Sequence, residues 1–223
     1  MDPRLRAAVD ASVGWYEDIC ALHGTASLLR DGLWSAVGPP PPLHSGVVVV
    51  EPTVTAEQVL ERRHTTDGGV KVSFANVDLG AHGQSLLFSA SWFHRPAHPS
   101  VSTPPAGWTA VRTPERLAAW TAQHDTTDVL LPGLLRSAHI VVLEQQVDGQ
   151  GVAGAVARLG SGVVDVSNVH ASPGHHVDWS ELAAVVAHVF PQRPLVGYER
   201  GPDLEAAIDG GCVVTGELRV WVP

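Results

Sequence analysis

The sequence predicts an α/β (α+β) fold in which helices flank a mixed, mainly antiparallel sheet. Three observations predict it. Several segments carry apolar residues at three- and four-residue spacing, which is helical periodicity, while short apolar runs bounded by glycine turns have the length of strands. Hydrophobic residues make up 44% of the 223 positions and charged residues 17%, enough apolar mass for a core and too little charge for a disordered chain. No apolar run approaches the ~18 residues of a membrane span.

In chain order, Leu5, Val9, Val13, Tyr16, Ile19 and Cys20 line one face of a helix over Pro3–His23, which His23-Gly24 stops. Leu33–Val37 and Gly46–Glu51 read as strands, separated by the four-proline run Pro39–Pro42, which can only be extended. A helix over Thr55–Arg63 precedes strands at Val70–Val77 and Ser85–Phe93, parted by a Gly80–Gly83 turn. His94–Gly107 holds Pro96, Pro99, Pro104 and Pro105 and reads as a linker, dividing the chain into an N-terminal half, 1–97, and a domain over 106–223.

The second part is more regular. A short strand at Trp108–Arg112 leads to Thr113-Pro114, the cap and first turn of a helix ending near Gln123, and Asp128–Arg136 reads as a second short helix. Strands at Ile140–Val147, Val152–Leu159 and Val163–Val169 are joined by Asp148-Gly149 and Gly160-Ser161-Gly162, both hairpin-turn chemistry. A helix over Asp178–Phe190, a strand at Pro194–Tyr198, a helix at Pro202–Asp209 and a strand at Cys212–Val222 complete the chain.

Fourteen basic against 23 acidic residues give a net charge of -9, which argues against a broad nucleic-acid-binding face but leaves a local patch open. Arg62-Arg63 with His64 is a basic cluster, read as the solvated face of a helix in preference to a nucleic-acid patch. Lys71 is the only lysine. Cys20 and Cys212 form neither a disulfide framework nor a zinc motif, and read as buried thiols. His170, His175, His176 and Asp178 match no standard metal spacing, so no metal is expected. Without an apolar leader after Met1-Asp2-Pro3-Arg4, a cytoplasmic protein is expected.

From Trp108 onward the order is strand, two helices, three antiparallel strands, helix, strand, helix, strand. This layout resembles the GNAT-type N-acyltransferase superfamily. The likeness is most specific over Leu195-Val196-Gly197-Tyr198-Glu199-Arg200-Gly201, Leu204–Ala207, Gly210–Val213 and Leu218–Trp221, which look like its closing strand-helix-strand. The first 97 residues are similar enough in alternation to be read as a degenerate second half of a tandem member.

The resemblance implies transfer of an acyl group to an amine, between two strands that splay apart; here these correspond to Asp165–Val169 and Val196–Glu199. In coenzyme-A-dependent members an Arg/Gln-x-x-Gly-x-Gly/Ala loop before the next helix holds the pyrophosphate. The corresponding stretch, Val169–Trp179, has one glycine, a proline and no arginine, and Asp178 precedes Glu181 at capping-box spacing. This departure argues against acyl-CoA as co-substrate and sets aminoacyl-tRNA and a carrier-bound thioester beside it as donors, with no cofactor required.

Candidate site residues lie at strand ends. Glu199 can take a proton from an amine and Tyr198 can give one to a leaving group; the alternative is a surface pair of Glu199 with Arg200 and a packed tyrosine. Ser167, Asn168 and His170 end the preceding strand, where Asn168 can polarise a carbonyl and His170 titrates near neutrality, or where they serve only as turn chemistry. Trp92, His94 and Arg95 can read an anionic substrate group, or Trp92 packs in a core and Arg95 is solvated. The reading is an amide-forming transferase that moves an acyl or aminoacyl group to a small-molecule amine. The alternative is a catalytically silent module of the same fold that binds a ligand or a protein.

Overall fold

The computed structural model describes residues 1–63, 68–99 and 101–223. Its elements are α1 (Pro3–Leu22), β1 (Ala26–Arg30), β2 (Leu33–Val37), β3 (Val47–Val49), α2 (Ala56–Arg63), β4 (Val70–Val72) and β5 (Ser85–Arg95), then β6 (Trp108–Ala110), α3 (Pro114–Ala122), β7 (Ile140–Val147), β8 (Gln150–Leu159), β9 (Val164–Ala171), α4 (Trp179–Val189), β10 (Leu195–Glu199), α5 (Gly201–Asp209) and β11 (Val213–Val222). Contacts divide the chain into two compact units, Met1–Trp92 with Thr215–Pro223, and Phe93–Val214. The division falls at Trp92/Phe93, ahead of the proline-rich stretch, and the end of the last strand returns to the first unit.

In the first unit β1, β2 and β3 form an antiparallel run, β3 pairs parallel with β4, and β11 pairs antiparallel with β4 through Arg219↔Val72 and Trp221↔Val70. Valines on β3 and β4 pack with Leu33, Val54, Val59, Leu79 and Trp221. Lys71 is fully buried, donates to Ser12 Oγ at 2.8 Å and sits 4.6 Å from the Trp92 ring centroid and 5.5 Å from that of Tyr16. Cation–π attraction and one hydrogen bond thus replace part of the water that the ammonium loses.

The strand expected over residues 70–77 stops at Val72, because Ala75 takes a left-handed φ of 51° and turns the chain. The helix expected over 128–136 is a single 3₁₀ turn at Pro132–Arg136, because Pro132 holds Leu131 extended. The two units share one run of elements: a helix, three antiparallel strands, a helix and a strand parallel to the third, which is α1, β1–β3, α2 and β4 in the first and α3, β7–β9, α4 and β10 in the second.

In the second unit β6, β7, β8 and β9 are antiparallel neighbours and β10 joins β9 in parallel. Asp148 and Gly149, with φ of 51° and 79°, close the β7–β8 hairpin in the two-residue turn that right-twisted strands favour. One sheet face packs through Leu143, Ala155, Ala157, Val164, Val166 and Leu195 onto Leu182, Val185 and Val186 of α4. Thr113 caps α3, its Oγ1 accepting from Arg116 N at 3.3 Å.

Candidate functional site

β9 and β10 pair only through Leu195↔Val164 and Val196↔Asp165, although β9 continues to Ala171 and β10 to Glu199. On its other edge β9 stays paired with β8 as far as Ala171. The two strands therefore part beyond Asp165 and Val196, leaving an opening lipped by Ser167, Asn168 and His170 on one side and Tyr198 and Glu199 on the other. Gly197 sits at the parting. A Cβ there would lie 2.5 Å from Val166 O and 2.6 Å from Phe93 Cζ, so no side chain fits.

The β9 lip is shaped by a bulge. Gly154 faces His170 and Val156 faces Ser167, so Asn168 and Val169 together oppose Ala155. Asn168 takes the extra residue's turn at φ 52°. Its amide donates to Ser167 Oγ at 3.0 Å, and its carbonyl oxygen lies 3.2 Å from His170 Nδ1. A carbonyl only accepts, so Nδ1 carries the proton and Nε2 keeps its lone pair. That Nε2 is buried and has no hydrogen-bond partner.

The His170 ring stacks on His124 and meets Trp120 edge-to-face at 4.6 Å. Gly154 makes the room, since a Cβ there would clash with both Trp120 and His170. Trp120 Nε1 donates to Leu143 O at 3.0 Å. Beside it Glu144, with a side chain only 2% exposed, accepts from Arg116 Nε at 2.6 Å and from Gln146 Nε2 at 2.9 Å. Burial holds both histidines below the usual imidazole range; the charge of His170 pushes His124 further down and Asp125 opposes this, while for His170 the Asn168 carbonyl and Glu144 oppose. Sequence reasoning missed His124, Arg116 and Glu144. The available signals were a lone acid directly after the apolar run Ile140–Leu143 and the Trp120/His124 pair at i, i+4 spacing.

On β10, burial raises Glu199 to about 8; Asp203 adds to the rise and Arg200 opposes it. Side chains alternate along a strand, so Glu199 shares the face of Leu195 and Gly197, toward α4, and Tyr198 takes the other face with Val196. The pair expected to converge is therefore split between the two faces of the sheet.

Within the expected Trp92, His94 and Arg95 cluster, Trp92 and Arg95 make contacts inside the protein. Trp92 is fully buried, its Nε1 donating to Ser73 O at 2.8 Å, and is a core residue of the first unit. Arg95 Nε donates to Gly210 O at 2.8 Å and fastens the turn between α5 and β11. His94 is half-buried on β5. Both cysteines are buried, and burial pushes each thiol up to about 11, far from thiolate chemistry. Arg62 donates to Ser35 Oγ at 3.3 Å, an internal contact; His64 lies outside the described residues. Among the described residues no group of three or more His, Cys, Asp or Glu is arranged to hold a metal ion.

The start of α4 tests whether a CoA pyrophosphate fits. Asp178 Oδ1 accepts from Ser180 N at 2.8 Å and from Glu181 N at 3.1 Å, so a carboxylate already occupies the donors that a phosphate would use. Glu181 does not reciprocate as in a capping box. Its Oε2 accepts from Trp108 Nε1 and Gln145 Nε2, each at 3.3 Å. These residues do not suit a pyrophosphate at this helix end.

Compared by sequence, the chain matches no protein-family model and no curated protein. Compared by structure, it is similar to a GCN5-related N-acetyltransferase from Kribbella flavida, with TM-score 0.61 and 14% identity over 96% of this chain and 95% of that one. It is similar to a functionally unknown conserved protein from Staphylococcus epidermidis ATCC 12228, with TM-score 0.65 and 13% identity over 89% and 93%. A GCN5-related N-acetyltransferase-like protein from Streptococcus suis 89/1591 matches at TM-score 0.51 and 11% identity over 100% of both chains. At such identities the likeness is one of fold, and the fold is GNAT-like.

Proposed function

We propose that the chain is an amide-forming transferase that moves an acyl or aminoacyl group onto a small-molecule amine at the β9–β10 opening. The observation that carries this reading is the parting of two parallel strands after two residue pairs, with ionisable groups on both lips. Glu199 on one face takes the proton of the attacking amine. Tyr198 on the other face protonates the leaving group. In this reading, backbone N–H groups at the opening and the Asn168 amide stabilise the developing oxyanion. An ester or thioester donor is already activated, so positioning supplies much of the remaining barrier reduction.

The Asp178 cap favours a carrier-bound thioester or aminoacyl-tRNA over acyl-CoA. With a net charge of -9, a tRNA donor would depend on a local arginine cluster, and its affinity would fall steeply with salt. The test is single-turnover transfer to a panel of small amines from acetyl-CoA, acetyl-phosphopantetheinyl carrier protein and aminoacyl-tRNA. Transfer from at least one donor, lost in Glu199→Gln, supports the reading.

The second reading, a silent ligand- or protein-binding module, is favoured by the internal use of Trp92 and Arg95 and by the separation of Tyr198 from Glu199. Amine binding without transfer from any of the three donors would establish it.

A further inference from the structure

We propose that the groove between β6 and α4 is a binding site for a medium-chain carboxylate, separate from the β9–β10 opening. The groove encloses about 520 Å³, within the range of small-molecule sites. Its walls are Trp108, Ala110, Val185 and Val189, and its floor reaches the core residue Leu143. Arg112 and His188 also line it and are exposed.

The groove's ionisable lining is of one kind, basic. Trp108 donates to Glu181, which places the start of β6 against the first turn of α4. Arg112 stands four residues further along the chain, about 13 Å if extended, and His188 stands seven residues further along the helix, about 10 Å. Glu181 is not part of the lining, and the ionisable groups that do line the groove, Arg112 and His188, are both basic side chains. His188 Nδ1 lies 3.0 Å from Val101 O and so donates there, which leaves Nε2 as the ring's outward nitrogen.

An extended alkyl chain of that length fits the apolar trough, and burying it gains about 0.8 kcal/mol per CH₂. Its carboxylate belongs at the Arg112 end, where a guanidinium forms two parallel hydrogen bonds. The opposite orientation would leave the acid without a cationic partner. An amine or a neutral headgroup would gain nothing from Arg112.

The experiment is calorimetric titration of the full chain with decanoate, decanol and decylamine. Decanoate should bind at least tenfold more tightly than decanol, and decylamine should not bind measurably. Arg112→Glu, on the surface, should weaken decanoate at least tenfold. Val185→Trp should abolish binding by filling the trough; if its melting curve shows misfolding, Ala110→Phe at the rim replaces it. Glu199→Gln should leave decanoate affinity unchanged, which separates this site from the proposed transfer site. Equal affinity for decanoate and decanol overturns the proposal, as does indifference to Arg112→Glu, dependence on Glu199, or no binding at millimolar decanoate.

Discussion

The imidazole rings of His124 and His170 lie 4.8 Å apart and 14° from parallel, one at the end of α3 and the other on β9 just past its bulge. Two rings this close resist carrying two charges, and both are partly removed from water. An unfolded chain binds these protons near pH 6.5, the folded chain only at lower pH. Stability therefore falls as pH drops below 6.5, and the loss ends once the folded rings protonate. His124→Phe keeps an aromatic ring on His170 and removes one titrating group. The fall in melting temperature between pH 6.5 and pH 5 should be shallower in this variant; an unchanged slope would show that His124 does not titrate from a buried position.

Glu199 has the opposite pH signature. Its folded value of about 8 lies above its ordinary 4.5, so the folded state keeps a proton that the unfolded state releases. This costs stability progressively from pH 4.5 to 8. Glu199→Gln should melt like the wild type near pH 4.5 and higher than it at pH 8. In transfer assays the same variant should lose about 10²–10⁴-fold in rate, and the wild-type rate should rise with pH through about 8. Wild-type turnover in a normally melting variant would pass the base role to His170.

Gly197→Ala puts a Cβ against backbone oxygen and the Phe93 ring at once. Neither can yield cheaply, and a cost of about 1–3 kcal/mol is expected, read from denaturant midpoints. A midpoint equal to wild type would mean that the strands part more widely at this residue than their positions here indicate.

Free CoA should bind weakly or not at all, because Asp178 fills the helix donors. Calorimetry showing low-micromolar affinity would contradict this. Asp178→Ala should cost about 0.5–2 kcal/mol of stability through the lost cap.

Arg116→Leu should destabilise by about 3–5 kcal/mol, since it strands the Glu144 carboxylate in the interior. The double variant Arg116→Leu/Glu144→Leu should recover most of the loss. Failure to recover would mean that Gln146 depends on the same carboxylate.

Much of the second unit could be read in the sequence, because its signals are local. Asp148-Gly149 dictates a hairpin, Thr113 and Asp178 cap the helices they precede, and the β10–α5–β11 order carries the resemblance. β1 escaped notice because all five of its residues are exposed and no alternation marks a buried face. The site was less legible because it depends on which face each residue takes. Tyr198 and Glu199 are adjacent in sequence and so oppose one another across the sheet, whereas His124 and His170, 46 positions apart, meet through α3 packing that no short window encodes.

Lys71, shut behind Trp92 and Tyr16, has a consequence for any reagent that seeks amines. Every other basic side chain of its length is an arginine, so the folded surface offers no lysine ε-amine to an activated ester or thioester. A protein that handles such donors would be spared acylation of its own side chains. The same concealment turns Lys71 into a reporter: an N-hydroxysuccinimide ester should leave it untouched in the native state, and its modification, followed by peptide mass spectrometry, should count the molecules whose first unit has opened.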